Sequence, residues 1–136
     1  MRDSAGFEVL GSDECLRLLG SVPVGRVVFT ENALPAVHPV NFLVHAGAVI
    51  IRSGNDRSIT AGVDGAVVAF EVDDIDVDNR TGWNVTAVGR ASVVSDSAMI
   101  GELSSLPFHP WAPDCACFIR IQIERVTGRR IDEATE

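Results

Sequence analysis

The sequence predicts a mainly β fold with three short helices, in which an antiparallel sheet curls and closes on itself. Three observations carry this. Several stretches place apolar residues at every second position, the period of a half-buried strand. Consecutive stretches are joined by tight turns rather than by helices, which favours hairpins over β-α-β units. With only two Trp and six Phe, the core must rely on Val, Ile and Leu, which suits strands. Six such strands avoid exposed edges by closing into a small barrel with the helices outside. A length of 136 residues fits a single domain over 1–136, with its core at about 12–131.

The first element is a helix over Ser12–Leu19. Ser12 suits its cap, Asp13 and Glu14 suit the positive first turn, and Gly20 stops it. Cys15, Leu16 and Leu19 form its expected buried stripe. From Val24 the period becomes two. Val24–Thr30, Ala36–Val44 and Ala48–Ser53 read as three strands of a meander, with Asn32 supplying one turn and Ala46–Gly47 the next. A helix from about Asn55 to Val63 follows, then strands Ala66–Val72 and Trp83–Val94. A helix from about Asp96 to Leu106 precedes the last strand, Phe118–Val126. There Ile119, Ile121 and Ile123 alternate with Arg120, Gln122 and Glu124.

Composition excludes several functions. The net charge is −8, against the basic face that nucleic acid requires. No stretch is long and apolar enough to span a membrane, and MRDSAGFEVL has no apolar export segment, so a cytoplasmic protein is expected. All eleven basic residues are Arg. Without Lys there is neither a Schiff base to pyridoxal phosphate nor a Walker phosphate loop. Tyr is absent too, so neither it nor Lys can act as general acid or base. Cys15, Cys115 and Cys117 read as reduced thiols, and no zinc-ligand spacing joins them to His109.

Two segments carry candidate chemistry. In Arg52–Ser58 a strand gives way to a helix. Arg52 and Arg57 can fork onto a phosphate there, Ser53 and Ser58 can donate hydroxyls, and Gly54 allows close backbone approach. The same residues also make an ordinary capped turn with solvated arginines. In His38-Pro39-Val40-Asn41-Phe42, proline interrupts the ladder, so the segment belongs at an edge or bulge. Its freed backbone groups can bond a flat heterocycle, or Asn41 can simply face water. The acidic run Glu71–Asp78 fails as a calcium loop: counting from Asp74, Asn79 stands where Gly is needed and Val85 where Glu is needed. A solvated loop is expected there. Trp83, and Trp111 in the rigid Pro107–Pro113 loop, suit core, interface or a lid over a planar ligand.

Taken in order, GRVVF at Gly25, PVNF at Pro39, VIIRS at Val49, VAFEVD at Val68, GWNV at Gly82, GRA at Gly89, PWAP at Pro110 and VTGRR at Val126 form a series. This series resembles the pyridoxamine 5′-phosphate oxidase-like flavoproteins with the FMN-binding split-barrel fold. It is most similar to a small actinobacterial branch akin to nitroimidazole-resistance proteins. The resemblance implies a homodimer with two FMN sites at the subunit interface. It places the FMN phosphate at Arg52, Ser53, Arg57 and Ser58, and the ring along His38, Pro39, Val40 and Asn41. Trp83, Asn84 and Val85 match a second ring-contacting strand, and Trp111 would reach across from the other subunit. Vitamin B6 oxidases carry an Arg-x-His near the C-terminus. No His follows His109 here, and the Lys that relatives use in the phosphate pocket is absent.

The expected function is flavin-dependent oxidoreduction, in which the flavin transfers hydride or electrons and no catalytic side chain is assigned. The donor would be a nicotinamide nucleotide and the acceptor a small planar electrophile. A deazaflavin (F420) is the first alternative; its polyglutamate tail wants a basic groove, which Arg129 and Arg130 could supply. A non-catalytic haem- or flavin-binding module is the second, with His38, His45 and His109 as candidate iron ligands.

Overall fold

In the computed structural model, residues 1–53, 57–107 and 117–131 are described, without the side chains of residues 57 and 58. Seven strands and three helices follow in chain order: β1 (Glu8–Val9), α1 (Ser12–Leu19), β2 (Val24–Glu31), β3 (Leu34–His45), β4 (Ala48–Ser53), α2 (Arg57–Val63), β5 (Val67–Asp76), β6 (Thr81–Val93), α3 (Ser97–Ser104) and β7 (Cys117–Ile131). All pairings between strands are antiparallel, in the order β1-β7-β4-β3-β2-β5-β6. β6 also pairs with β7, which closes six of the strands into a barrel. The seventh, β1, is a two-residue strand laid against the far end of β7, too short to show an alternation in sequence.

Alternation explains the core. Val27, Val40, Phe42, Val49, Ile51, Val68, Phe70, Val72, Val85, Ile119 and Ile121 are buried in one cluster. Phe42 and Phe70 meet edge to face inside it, ring centroids 4.7 Å apart. Each such side chain contributes roughly 1.5–3 kcal/mol on burial. Two turns behave as expected: Asn32 and Ala33 have φ of 51° and 64°, and Ala46 and Gly47 have φ of 52° and 75°.

The helices correct the sequence reading in detail. Gly11, not Ser12, is the N-cap of α1, and it makes no side-chain capping bond. The buried residues of α1 are Cys15, Leu18 and Leu19; Leu16 faces outward. Cys15 and Leu19 with α2's Ile59 and Val63 join the barrel core. α3 packs outside it, where Leu103 meets Ala48, Ile50 and Phe118 in a second cluster. Asp96 caps α3 by accepting from the Ala98 N–H at 2.9 Å. Among the described residues no helix is long and apolar enough to cross a membrane.

Charge ties α1 to the barrel. Glu14 accepts from Arg17 Nη2 at 2.6 Å within the helix and from Arg130 Nη2 at 2.8 Å on β7. Arg17 first, then Arg130, holds the Glu14 carboxyl down from 4.5 to about 2. A depressed carboxylate pKa stabilises the fold above its unfolded value and loses that contribution as pH falls through the folded one. Glu14→Gln is therefore expected to be less stable than the native chain above pH 4.5, with the difference closing as pH falls toward about 2. Urea unfolding across that window checks it; a pH-independent difference would show that these ion pairs do not act in solution.

Candidate functional site

β2 pairs with β3 from Leu34 to Asn41, and β4 joins it only from Asn41 onward. Pro39 therefore sits opposite Arg26 of β2 with no β4 residue on its other side, a local edge that suits a residue lacking an N–H. Asn41 is the first β3 residue with a strand on both sides: Val24 on β2 and Arg52 on β4. Directly opposed residues present their side chains on the same face, so Asn41 and Arg52 are neighbours.

Both are short of partners. Asn41 is only 8% exposed, and its side chain has no hydrogen bond among the described residues. The Arg52 Nε is buried and has no hydrogen-bond partner; among the described residues it is the only side-chain nitrogen or oxygen in that position. An orphaned buried donor costs about 1–3 kcal/mol. Such an atom fits a ligand acceptor, and a guanidinium suits a phosphate or carboxylate best. Asn41, Phe42, Leu43 and Val44 form one wall of a cavity of about 320 Å³, faced by the Gly20–Pro23 segment and Pro107. Ser53, also buried, follows Arg52 at the strand end and donates through Oγ to the Cys117 carbonyl at 3.4 Å.

The other residues singled out from the sequence are distributed as follows. His38 and Val40 flank Pro39 on β3; His38 lies 5.3 Å from the Phe29 ring, and Val40 is buried in the core. Arg57 and Ser58 open α2, but their side chains lie outside the described residues, as do Gly54, Asn55, Asp56, His109, Trp111 and Cys115. Trp83, Asn84 and Val85 lie on β6, three strands from β3 around the ring in either direction. Within one chain the structure does not bring them to Asn41 and Arg52. The Val85 side chain is fully buried in the core, and Val85 has a paired strand on both sides, Val72 on β5 and Gly128 on β7.

The acidic run corrects a sequence expectation. Glu71 to Asp76 continue β5, paired with β6 as far as Asp76↔Thr81, and are not a loop. Alternation puts Glu71 and Asp73 on one face, where a single Arg26 nitrogen donates to Glu71 Oε1 at 3.1 Å and Asp73 Oδ2 at 3.2 Å. Burial, then the neighbouring Asp73, pushes the Glu71 pKa up. Both carboxylates line a second cavity of about 260 Å³, with Trp83, Asn84, Phe7 and Arg129 among its other walls. An i, i+2 pair of acids in a strand was the signal for this grouping. Among the described residues no set of His, Cys, Asp and Glu is placed to hold a metal ion, and Cys15 and Cys117 are free thiols.

Comparison with known proteins matches residues 11–130 to the family model of pyridoxamine 5′-phosphate oxidase. An uncharacterised protein of Mycobacterium tuberculosis is 45% identical over 130 residues, covering 90% of this chain and 84% of that protein. The FAD-binding protein from Mycobacterium smegmatis has a solved structure with a TM-score of 0.76 at 32% identity, covering 90% of this chain and 96% of that one. A conserved protein of unknown function from Corynebacterium diphtheriae gives a TM-score of 0.78 at 30% identity, covering 93% and 98%.

Proposed function

The chain belongs to the pyridoxamine 5′-phosphate oxidase family, with its split-barrel fold, and on that premise we propose that it is a flavin-binding oxidoreductase. The observation that carries this reading is the buried, partnerless Arg52 Nε beside the Asn41 amide. Arg52 holds a flavin phosphate, with Ser53 and the start of α2 completing its cradle. The ring lies along His38–Asn41, where Pro39 has no N–H to give a ladder and β4 pairs only from Asn41 onward.

Bound flavin supplies hydride or electron transfer; the chain supplies orientation and a dry wall. Asn41 offers one donor and one acceptor to the polar edge of a planar ring. Phe42 and Val44 exclude water from the cavity side. Since β6 stands across the barrel from β3, Trp83 and Asn84 can meet the same ring only from a second copy of the chain. The working unit is therefore a homodimer with cofactor at the interface. A nicotinamide nucleotide is the electron donor and a small planar electrophile the acceptor.

FMN and FAD share the phosphate that Arg52 would hold. The FAD-binding relative at 32% identity favours FAD as the second reading. Purified protein is expected to carry visible flavin absorption, or to take up FMN or FAD saturably after stripping. Chromatography of the cofactor released on denaturation identifies the nucleotide. Saturable binding of a deazaflavin or haem with no uptake of either flavin would overturn the assignment.

A further inference from the structure

We propose that the cavity between Gly20–Pro23 and Phe42–Val44 binds an adenine ring. The inference rests on the reading above, in which Arg52 holds a flavin phosphate, and adds a seat for the second half of a dinucleotide.

One wall of this cavity is a strand edge that the fold does not pair. The two-residue turn at Ala46–Gly47 makes His45↔Ala48 a hydrogen-bonded pair, so Asn41, Leu43 and His45 turn their N–H and C=O toward β4. Phe42 and Val44 turn theirs the other way, and the Phe42 N–H accordingly donates to the Pro23 carbonyl at 3.3 Å. The β2–β3 register carried one residue further also brings residue 23 to the Phe42 carbonyl, but Pro23 has no N–H to return. Residue 21 would face Val44 next. The Ser21 N–H instead bonds the Leu18 carbonyl at 3.0 Å, and its Oγ donates to the same carbonyl at 2.7 Å, tying it back to α1. The Phe42 carbonyl and the Val44 N–H therefore have no partner among the described residues, and both residues line the cavity. Backbone groups inside a fold are almost always paired, so this edge suits a ligand that brings a donor beside an acceptor.

Adenine has that edge. Its amino group gives the donor and the adjacent ring nitrogen the acceptor, matched to a carbonyl and an N–H two residues apart on one strand. The walls agree. Phe42 and Val44 pack their side chains against the barrel core, so the cavity meets their backbone. Val22, Pro23, Leu43 and Pro107 supply apolar surface for a flat ring, and among the described residues the lining carries no charged side chain, as suits a neutral base. At about 320 Å³ the cavity stands at the small end of ligand pockets, room for a two-ring base rather than the three-ring flavin. Asn41 lines the same cavity and pairs with Arg52 across β3–β4, so base and phosphate occupy neighbouring positions of one ligand. FAD and the nicotinamide dinucleotides share this adenine–phosphate half.

Adenosine and inosine are the probes. Both are neutral, neither carries a phosphate, and inosine reverses the donor and acceptor on that edge. Leu43–Val44 is the only Leu–Val pair in the sequence, so carbonyl-labelled leucine with nitrogen-labelled valine isolates the Val44 amide in an NMR spectrum of the unaltered protein. Adenosine is expected to shift that signal saturably and to bind at least about tenfold tighter than inosine. A Val44 signal that ignores adenosine, or inosine binding as tightly, would overturn the adenine site. FAD binding at least about tenfold tighter than FMN, with adenosine competing against FAD and not FMN, assigns the base to the flavin. NADH displaced by adenosine from FMN-loaded protein assigns it to the electron donor, and either result upholds the cavity. Adenosine brings no phosphate to Arg52, so a failed phosphate assignment leaves its titration unmoved, and a failed adenine site leaves FMN binding intact.

Discussion

Arg52→Ala is expected to weaken flavin binding about ten- to a hundredfold while leaving the melting temperature of the cofactor-free protein unchanged or slightly raised. A charge-assisted bond to a phosphate contributes about 1.5–3 kcal/mol, and each 1.4 kcal/mol is a factor of ten in affinity. The stability side follows from the orphaned Nε. A buried donor that bonds nothing in the fold destabilises it, so its removal costs the folded chain nothing in hydrogen bonds. The two readouts separate function from structure. A residue kept for the fold would lower melting temperature and affinity together; a residue kept for an anion loses affinity alone. Arg52→Lys sharpens the test, because a point charge replaces a planar fork and should restore binding only in part. Fluorescence titration with FMN and FAD beside thermal unfolding checks both, and unchanged affinity in a folded Arg52→Ala variant would remove the phosphate from this corner.

How much of this was legible beforehand depended on which physical signal each residue sends. Where burial alternates, the sequence speaks: Ile119 and Ile121 of β7 and Val68, Phe70 and Val72 of β5 marked their strands without help. The outer half of β5 sent the opposite signal. Asp73, Asp74 and Asp76 have low strand propensity and read as loop, yet Asp73 is held by Arg26 from the adjoining strand and the whole segment by pairing with β6. Tertiary pairing overrode composition there. β1, at two residues, has too few positions to show any period.

The candidate site divides the same way. Arg52 could be found because a basic residue where a strand hands over to a helix is a local pattern. That Asn41 stands directly opposite it is a fact of register, and register between β3 and β4 is set by the Ala46–Gly47 turn rather than by either residue. The separation of Trp83 and Asn84 from Asn41 is likewise a property of strand order, invisible until β7 is seen to close the ring. The Phe7–Arg129–Asp3 contacts that wall the second cavity join residues at opposite ends of the chain, which no local pattern could link.

Ring closure itself rests on a glycine, and Gly89→Ala is expected to destabilise the protein by at least about 3 kcal/mol, among the larger effects a single substitution produces. The β6–β7 register slips at this point: Val88 pairs with Arg125 but Gly89 with Ile123, so Glu124 is the extra residue of a bulge. The bulge brings the two backbones so close that a Cβ on residue 89 would run into the Gln122 carbonyl oxygen and lie 2.8 Å from its carbon. Neither atom belongs to a side chain that could swing away. Relief requires β6 and β7 to part, and β7 also carries Ile119 and Phe118 opposite the Ile51 and Arg52 of β4. Opening the seam on one edge of β7 thus loosens the strand that supports the arginine on the other. Gly101→Ala is the matched control: it lies in α3 with nothing within 4 Å of a new Cβ, and alanine there is expected to stabilise by about 0.5–1 kcal/mol. Denaturant unfolding of the two variants reads the contrast, and hydrogen exchange locates it, with lost protection expected first in β6 and β7. A Gly89→Ala protein as stable as the native chain would mean that the barrel closes in another register, and the placement of Arg52 against β7 would have to be drawn again.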